Sequence, residues 1–245
     1  MKIKDQSVVV TGGASGMGQA TVAWLRARGA RVMVWDQQEV QEDGVVCDVS
    51  SSASVVHALN LTVEKMGVPR ICIQCAGIAP AAKMVGKAGA MPLDAFEHVM
   101  MINLVGTFNV MRVVAEAMSR SACIDGSDAR GVIINTASIA AYEGQIGQVA
   151  YSASKGGIVS MTLPAARELA QYGIRVNTIA PGLIATPLLM GMPETVRESL
   201  ISGIPYPHRF GEPAEFAALA GHIIENEMLN GEVIRLDAGL RMGSR

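Results

Sequence analysis

The sequence has no excess of charge of either sign: 20 Lys and Arg stand against 22 Asp and Glu, for a formal net charge of −2. Proteins that hold nucleic acid neutralise phosphates with clustered Lys and Arg, so nucleic acid is not an expected partner. Histidine is scarce, with only His57, His98, His208 and His222, and none falls in an H-E-x-x-H pattern. Four cysteines, Cys47, Cys72, Cys75 and Cys123, are too few for a disulfide framework in 245 residues and fit a reducing compartment. Cys72 and Cys75 have redox or metal spacing, but they fall on a predicted strand and no second Cys or His pair completes a tetrahedral set. No metal site is expected. A long uninterrupted apolar run is missing: the uncharged stretch Val176 to Pro193 is broken by Asn177, Pro181, Pro187 and Pro193 and reads as a strand followed by a loop. No membrane span is expected. No apolar stretch with a cleavage site precedes the first Val run, so a secretory signal is not expected, and the cytoplasm or an organelle matrix is the expected location.

What is present suits one well-buried domain that associates with copies of itself: half the residues are hydrophobic, 17% are charged, and there are 26 Gly and 15 Met. Short apolar runs at Ser7–Val10, Ala30–Trp35, Val45–Val46, Arg70–Cys75, Gly131–Thr136, Ile174–Ala180 and Glu232–Leu236 read as strands. Helical patterns at Ser15–Arg28, Ala53–Lys65, Leu93–Ser119, Gln148–Tyr172 and Pro213–Glu225 alternate with them. The alternation predicts an α/β fold, a Rossmann-type doubly wound parallel sheet of about seven strands with helices on both faces.

Thr11-Gly12-Gly13-Ala14-Ser15-Gly16-Met17-Gly18 lies between the first strand and the first helix. Glycines there let the chain turn tightly and bring helix-start amides against a pyrophosphate, whose charge the helix dipole favours. A P-loop is excluded because no Gly-Lys-Ser/Thr follows. Asp36 ends the second strand, 18 residues after Gly18. A carboxylate there accepts hydrogen bonds from ribose hydroxyls and repels a 2′-phosphate, which favours NAD over NADP.

Ser138, Tyr151 and Lys155 are spaced by 13 and four residues. Positions i and i+4 share a helix face, so the Tyr hydroxyl and the Lys ammonium reach one site. Tyrosine, with a pKa of about 10, is a poor base near neutrality, but an adjacent ammonium stabilises its phenolate. The Ser138 hydroxyl would hold a substrate oxygen while Tyr151 moves the proton. Ser152-Ala153-Ser154-Lys155 also matches the S-x-x-K pattern of serine acyl-transfer enzymes, yet neither Ser-Asp-Asn nor Lys-Thr-Gly follows it.

Together with Ala76-Gly77, Asn103, Pro181-Gly182 and Thr186, these residues resemble the short-chain dehydrogenases/reductases over nearly the whole chain. The resemblance implies a single Rossmann-type domain over 1–245, an NAD-dependent interconversion of secondary alcohol and ketone, and a homotetramer. It also implies that Asn103 holds a water in a proton relay behind Lys155, and that Lys155 binds the nicotinamide ribose. Gly12, Ser15, Gly16, Met17 and Gly18 would line the pyrophosphate, Asp48 and Val49 would edge the adenine, and Ala76 and Gly77 the adenosine. Pro181, Gly182 and Thr186 would lie at the nicotinamide end.

The runs Gly131–Ser138, Glu143–Gln148, Tyr151–Ile158, Ile179–Gly182 and Asn230–Asp237 are similar to the type II 3-hydroxyacyl-CoA dehydrogenases, also called type 10 17β-hydroxysteroid dehydrogenases. That likeness implies an acyl-CoA substrate, with steroids or other hydrophobic alcohols and ketones as the alternative, and Gln145 beside Ser138 and Tyr151 as a substrate contact. A dinucleotide-binding scaffold without chemistry is the reading from another class; the complete Asn103, Ser138, Tyr151 and Lys155 set speaks against it. Gln74 stands where the family has Asn, which leaves one structural hydrogen bond to be accounted for. The segment Ala79–Met91 carries Lys83 and Lys87 with no acidic residue, a candidate handle for CoA phosphates.

Overall fold

Parallel strands cannot be joined by tight hairpins; each connection must cross a face of the sheet, usually as a helix. The computed structural model, which describes residues 1–87, 89–124 and 126–244, obeys this throughout its main sheet. Seven strands lie in the order β3-β2-β1-β4-β7-β8-β9 and every neighbouring pair is parallel. They are β1 (Ser7–Thr11), β2 (Arg31–Asp36), β3 (Gly44–Val46), β4 (Ile71–Gln74), β7 (Gly131–Thr136), β8 (Ile174–Pro181) and β9 (Val233–Leu236). The expected doubly wound sheet is therefore observed.

Successive strand residues point to opposite faces, and because helices cover both, all five residues of β1 are buried. Val9, Met33, Trp35, Cys72, Ile133 and Val176 face one core, beneath α2 (Ser52–Met66), α4 (Gly106–Ser119) and α5 (Val149–Ala170). Val8, Val10, Val32, Val34, Ile71 and Ile73 face the other, which is closed by Leu25 of α1 (Gly16–Arg26) and by Phe216 and Ile223 of α8 (Pro213–Glu225). Trp35 Nε1 donates to Thr62 Oγ1 at 2.9 Å, so the one polar atom of the largest buried side chain is satisfied by α2.

The pattern from Leu93 to Ser119 forms a continuous helical run: α3 (Leu93–Met100), a π-helical turn at Met101–Val105, then α4. It is long and apolar enough to cross a membrane, but more than half of its most apolar stretch is buried in the protein. Several features differ from expectation, among them the helix predicted over Gln148–Tyr172, which ends two residues early at Ala170. The first helix ends at Arg26, two residues early. A two-stranded hairpin, β5 (Val85–Gly86) with β6 (Gly89–Ala90), occupies the segment after Gly77. The loop expected after Ala180 contains α6 (Pro187–Met190), and α7 (Glu194–Ser202) follows it. Pro187, with its fixed φ and no amide hydrogen, suits the first position of α6.

The sheet changes winding direction between β1 and β4, and the crevice beyond their carboxyl ends is the place where doubly wound folds bind ligands. At the opposite end, Arg175 donates to the carbonyls of Ile223, Ile224, Asn226 and Leu229 at 2.7–3.2 Å, fastening the end of α8 to β8. Arg175→Met removes all four bonds far from the crevice. It should lower the unfolding free energy by about 2–3 kcal/mol, measured by chemical denaturation, and leave ligand binding in the crevice unchanged.

Candidate active site

The crevice starts where β1 ends. Gly12 has φ +66°, and a Cβ there would lie 2.7 Å from the Ala76 amide nitrogen; a Cβ on Gly18 would land on the Gly12 carbonyl oxygen. Only glycine lets the turn fold back on itself and α1 begin directly against it. Ser15 occupies the N-cap of α1 without a side-chain cap bond, and no acidic residue lies in the first turn. The leading amides are thus open to an anion, without a competing carboxylate from their own helix. Met17 is half-buried and packs on the core beneath. Asp36 stands beside the turn, its Oδ2 accepting from the Ala14 amide and its Oδ1 from the Gln38 amide, both at 3.0 Å.

Asp48 accepts from the Ser50 hydroxyl at 2.7 Å and the Ser50 amide at 2.9 Å, and the hydroxyl bond is the main reason its carboxyl lies below the ordinary range. Val49 is buried against Gly106, and its carbonyl accepts from Asn109 Nδ2 at 2.8 Å. The Ala76 amide donates to Thr11 Oγ1 at 3.3 Å, which ties the end of β4 to that of β1. Gly77 follows, between two groups of the catalytic half: a Cβ there would lie 3.1 Å from Asn103 Oδ1 and 3.6 Å from Lys155 Nζ. Thr186, at the N-cap of α6, faces the Gly-rich turn from the other side, its Cγ2 3.4 Å from where a Gly16 Cβ would be. Pro181 ends β8, and the Gly182 amide is held by Leu236 O at 2.9 Å.

Tyr151 and Lys155 share one face of α5. Lys155 is 5% exposed, and its Nζ donates to the Thr136 carbonyl at 2.8 Å, 5.8 Å from the Tyr151 ring centroid. Burial pushes this ammonium down to about 8. Burial also raises Tyr151 above the ordinary tyrosine value, opposed by a hydrogen bond with the Ser138 side chain. Ser138 ends β7 and starts a 3-10 turn, Ile139–Ala141; its Oγ accepts the Ala140 amide at 3.1 Å, which leaves the hydroxyl proton free to point into the crevice. Tyr151 and Ser138 can therefore grip one oxygen between them, with a cation just behind.

Asn103 lies in the π-helical turn, fully buried. Its Oδ1 accepts from Ile78 N and its Nδ2 donates to Ile78 O, each at 2.9 Å, and Nδ2 also reaches Ser154 Oγ at 3.1 Å. The side chain is thus committed to holding the chain beyond Gly77. Sequence reasoning missed two members of this set. Ser154 Oγ, the link between Asn103 and the Tyr151 carbonyl, was hidden in a motif read for acyl transfer. Thr136 acts through its main-chain carbonyl, which leaves no signature. Ser152, the nucleophile of that rival motif, has a buried Oγ with no hydrogen-bond partner among the described residues and packs on Gly144. Gln145 lies in the loop between the 3-10 turn and α5, half-buried, its amide accepted by Gln148 Oε1 at 3.0 Å. Cys75 is pushed up to about 12 by burial and Cys72 is raised likewise, so both are inert thiols. Among the described residues no three His, Cys, Asp or Glu side chains gather as a metal set.

A family model described as enoyl-(acyl carrier protein) reductase matches residues 12–241. The chain is 50% identical to the 3-hydroxyacyl-CoA dehydrogenase type-2 of Bos taurus, and equally to that of Homo sapiens, over 98% of its own length and 97% of theirs. It is 33% identical to the 3-oxoacyl-[acyl-carrier-protein] reductase of Thermotoga maritima, over 98% of this chain and 99% of that one. The crystal structure of a 3-hydroxyacyl-CoA dehydrogenase type-2 from Mycobacterium avium, 37% identical, matches the fold with a TM-score of 0.91 over 98% of this chain and 97% of that one. These likenesses run through every element that brings a side chain to the crevice, and the chain belongs to the short-chain dehydrogenase/reductase family of oxidoreductases.

Proposed function

We propose that the protein interconverts (S)-3-hydroxyacyl-CoA and 3-oxoacyl-CoA with NAD. The observation that carries the chemistry is the meeting of Ser138, Tyr151 and Lys155 beside the Gly-rich turn; the full-length likeness to dehydrogenases of that name supports the substrate. The residues present fit a dinucleotide. The uncapped start of α1 suits the pyrophosphate, and Asp36, already turned toward Ala14, suits the ribose hydroxyls and disfavours a 2′-phosphate. Asp48, Val49, Ala76 and Gly77 line the adenosine side, with Gly182 and Thr186 at the far end. Bound NAD supplies the acceptor for the substrate hydride.

The protein's own part is proton handling and aim. Ser138 Oγ donates to the substrate oxygen, and Tyr151 Oη removes that oxygen's proton during oxidation or returns it during reduction. Lys155, a cation behind the phenol, stabilises the phenolate, and Asn103 and Ser154 hold the surrounding backbone as positioning residues. Because burial favours the neutral phenol, the donor state for reduction dominates near neutrality while oxidation needs the phenolate. Oxidation should therefore speed up as pH rises toward about 8, above which Lys155 loses the charge that stabilises the phenolate, and reduction should slow.

Steroid or other hydrophobic alcohol oxidation is the second reading, favoured by the exposed Met84, Val85 and Ile146 on the two segments that the Ala82–Gly147 bond joins. Met101, Val105 and Phe108 form an exposed apolar stripe at helical spacing, and Leu163 of α5 is exposed too. This supports self-association, and the family resemblance suggests a homotetramer. The four free cysteines support a reducing compartment such as the cytoplasm.

Tyr151→Phe should keep NAD affinity and lower turnover of acetoacetyl-CoA by at least about 100-fold, with no remaining alkaline rise in oxidation; near-normal turnover would remove the assignment. Lys155→Met should damage both turnover and NAD affinity. Wild type should prefer NAD over NADP, and Asp36→Ala should shrink the ratio of kcat/KM values by about 10- to 100-fold, the worth of hydrogen bonds to a charged group; a wild-type preference for NADP would refute the role given to Asp36. Lys83→Ala with Lys87→Ala should raise KM for acetoacetyl-CoA several-fold at low salt and little at high salt, and leave a small uncharged ketone unaffected.

A further inference from the structure

Glu143 leaves the 3-10 turn that Ser138 begins, and its amide is held by Ile139 O at 3.0 Å. Its carboxylate is gripped from the far edge of the sheet: Arg235 of β9 donates from Nη1 to Oε1 and from Nη2 to Oε2, both at 2.8 Å, although the residues are 92 positions apart. The same guanidinium donates from Nε to Asp237 Oδ2 at 2.6 Å and from Nη2 to Leu240 O at 3.1 Å. Its plane also stands over the Tyr142 ring, 5.1 Å from the centroid. Arg241 adds longer contacts to Glu143 and Asp237, so the cluster holds two charges of each sign. Arg235 and Glu143 are only about a quarter exposed and Asp237 less, so solvent screens the pairing weakly.

Each partner of Arg235 leads to a different wall of the crevice. Glu143 carries the loop with Gln145, and behind it the turn that aims the Ser138 hydroxyl at Tyr151. The loop's far end is pinned as well, by Ile146 N to Ser244 O at 3.1 Å and by Ala82 N to Gly147 O at 2.8 Å. Asp237 packs against Gly182, whose added Cβ would lie 2.9 Å from the Asp237 Cα. Gly182 belongs to the turn after β8, at the end of the crevice assigned to the nicotinamide.

We infer that Arg235 is a positioning residue: one guanidinium sets the distance between the wall that holds the substrate oxygen and the wall that holds the cofactor's reacting end. A planar fork with donors in fixed directions can do this, whereas a lysine's single ammonium cannot satisfy Glu143 in two places and Asp237 at once. The inference rests on the dehydrogenase reading. It goes beyond that reading by giving a role in the chemistry to a residue that touches neither substrate nor cofactor.

The test compares wild type with Arg235→Met, Arg235→Lys and Glu143→Gln, using acetoacetyl-CoA with NADH. The readouts are kcat and KM, the primary isotope effect with deuterated NADH, NADH affinity by fluorescence, and amide hydrogen exchange by segment. Arg235→Met should lower kcat about 10-fold or more, since small misplacements at a reacting centre are costly. The isotope effect should rise, NADH affinity should stay within about 3-fold, and exchange should quicken in 139–148 but not in β7 or β8. Arg235→Lys and Glu143→Gln should fall between it and wild type. Unchanged kcat and isotope effect in Arg235→Met would overturn the inference. Faster exchange throughout the sheet with loss of NADH binding would overturn it too, by making the residue a strut of the fold. Failure of the dehydrogenase reading looks different: wild type itself would not turn over acetoacetyl-CoA, and localised exchange would then decide alone whether Arg235 sets the loop.

Discussion

An ammonium placed where almost no water reaches it is costly, and Lys155 is such a group. Its charge is held by one short bond to the Thr136 carbonyl, and burial already weakens its hold on the proton. The surrounding structure makes that placement tolerable. Two parallel strands, β4 and β7, end side by side below it. α5 carries it across their ends, and Asn103 keeps the Gly77–Ile78 backbone close by. A buried cation favours a neighbouring anion, and in the proposed mechanism that attraction works against the burial that holds the Tyr151 phenol neutral.

The sheet was legible because each of its strands is a short apolar run and each crossover helix has its own turn signals. The Ser138, Tyr151 and Lys155 set was legible for another reason: its members carry their chemistry in side chains, at a spacing that one helix turn fixes. What stayed hidden works through the main chain or over long separations. Thr136 contributes a carbonyl, which any residue has. Arg235 and Glu143 meet only once the sheet is folded, and no local spacing announces them. The hairpin of β5 and β6 was missed because its strands are two residues each and exposed, with no apolar alternation to betray them. The short helix α6 was foreshadowed only by Pro187.

The unusual Gln74 shows how the fold absorbs a departure. Its Nε2 donates to Asn135 Oδ1 at 2.8 Å across the β4–β7 pair, so the longer side chain spans the neighbouring strands in the middle of the sheet. The opposite end of that pair is less complete, since Asn135 Nδ2 has no hydrogen-bond partner among the described residues. Gln74 thus makes one cross-strand contact beside a buried donor that has no partner among the described residues, a local cost that the fully buried strands around it carry.

The π-helical turn at Met101–Val105 sets a rule about length. Such a turn is, in effect, one extra residue spliced into an α-helix. Excising a residue there would let the helix close into a regular spiral with its flanks near their present orientation, but it would change which residue faces Ile78. The amide of Asn103 would then leave Ile78, whichever residues remained. In this stretch the number of residues matters as much as the identity of Asn103: substitution at its neighbours leaves the Ile78 bonds in place, whereas an insertion or deletion displaces them.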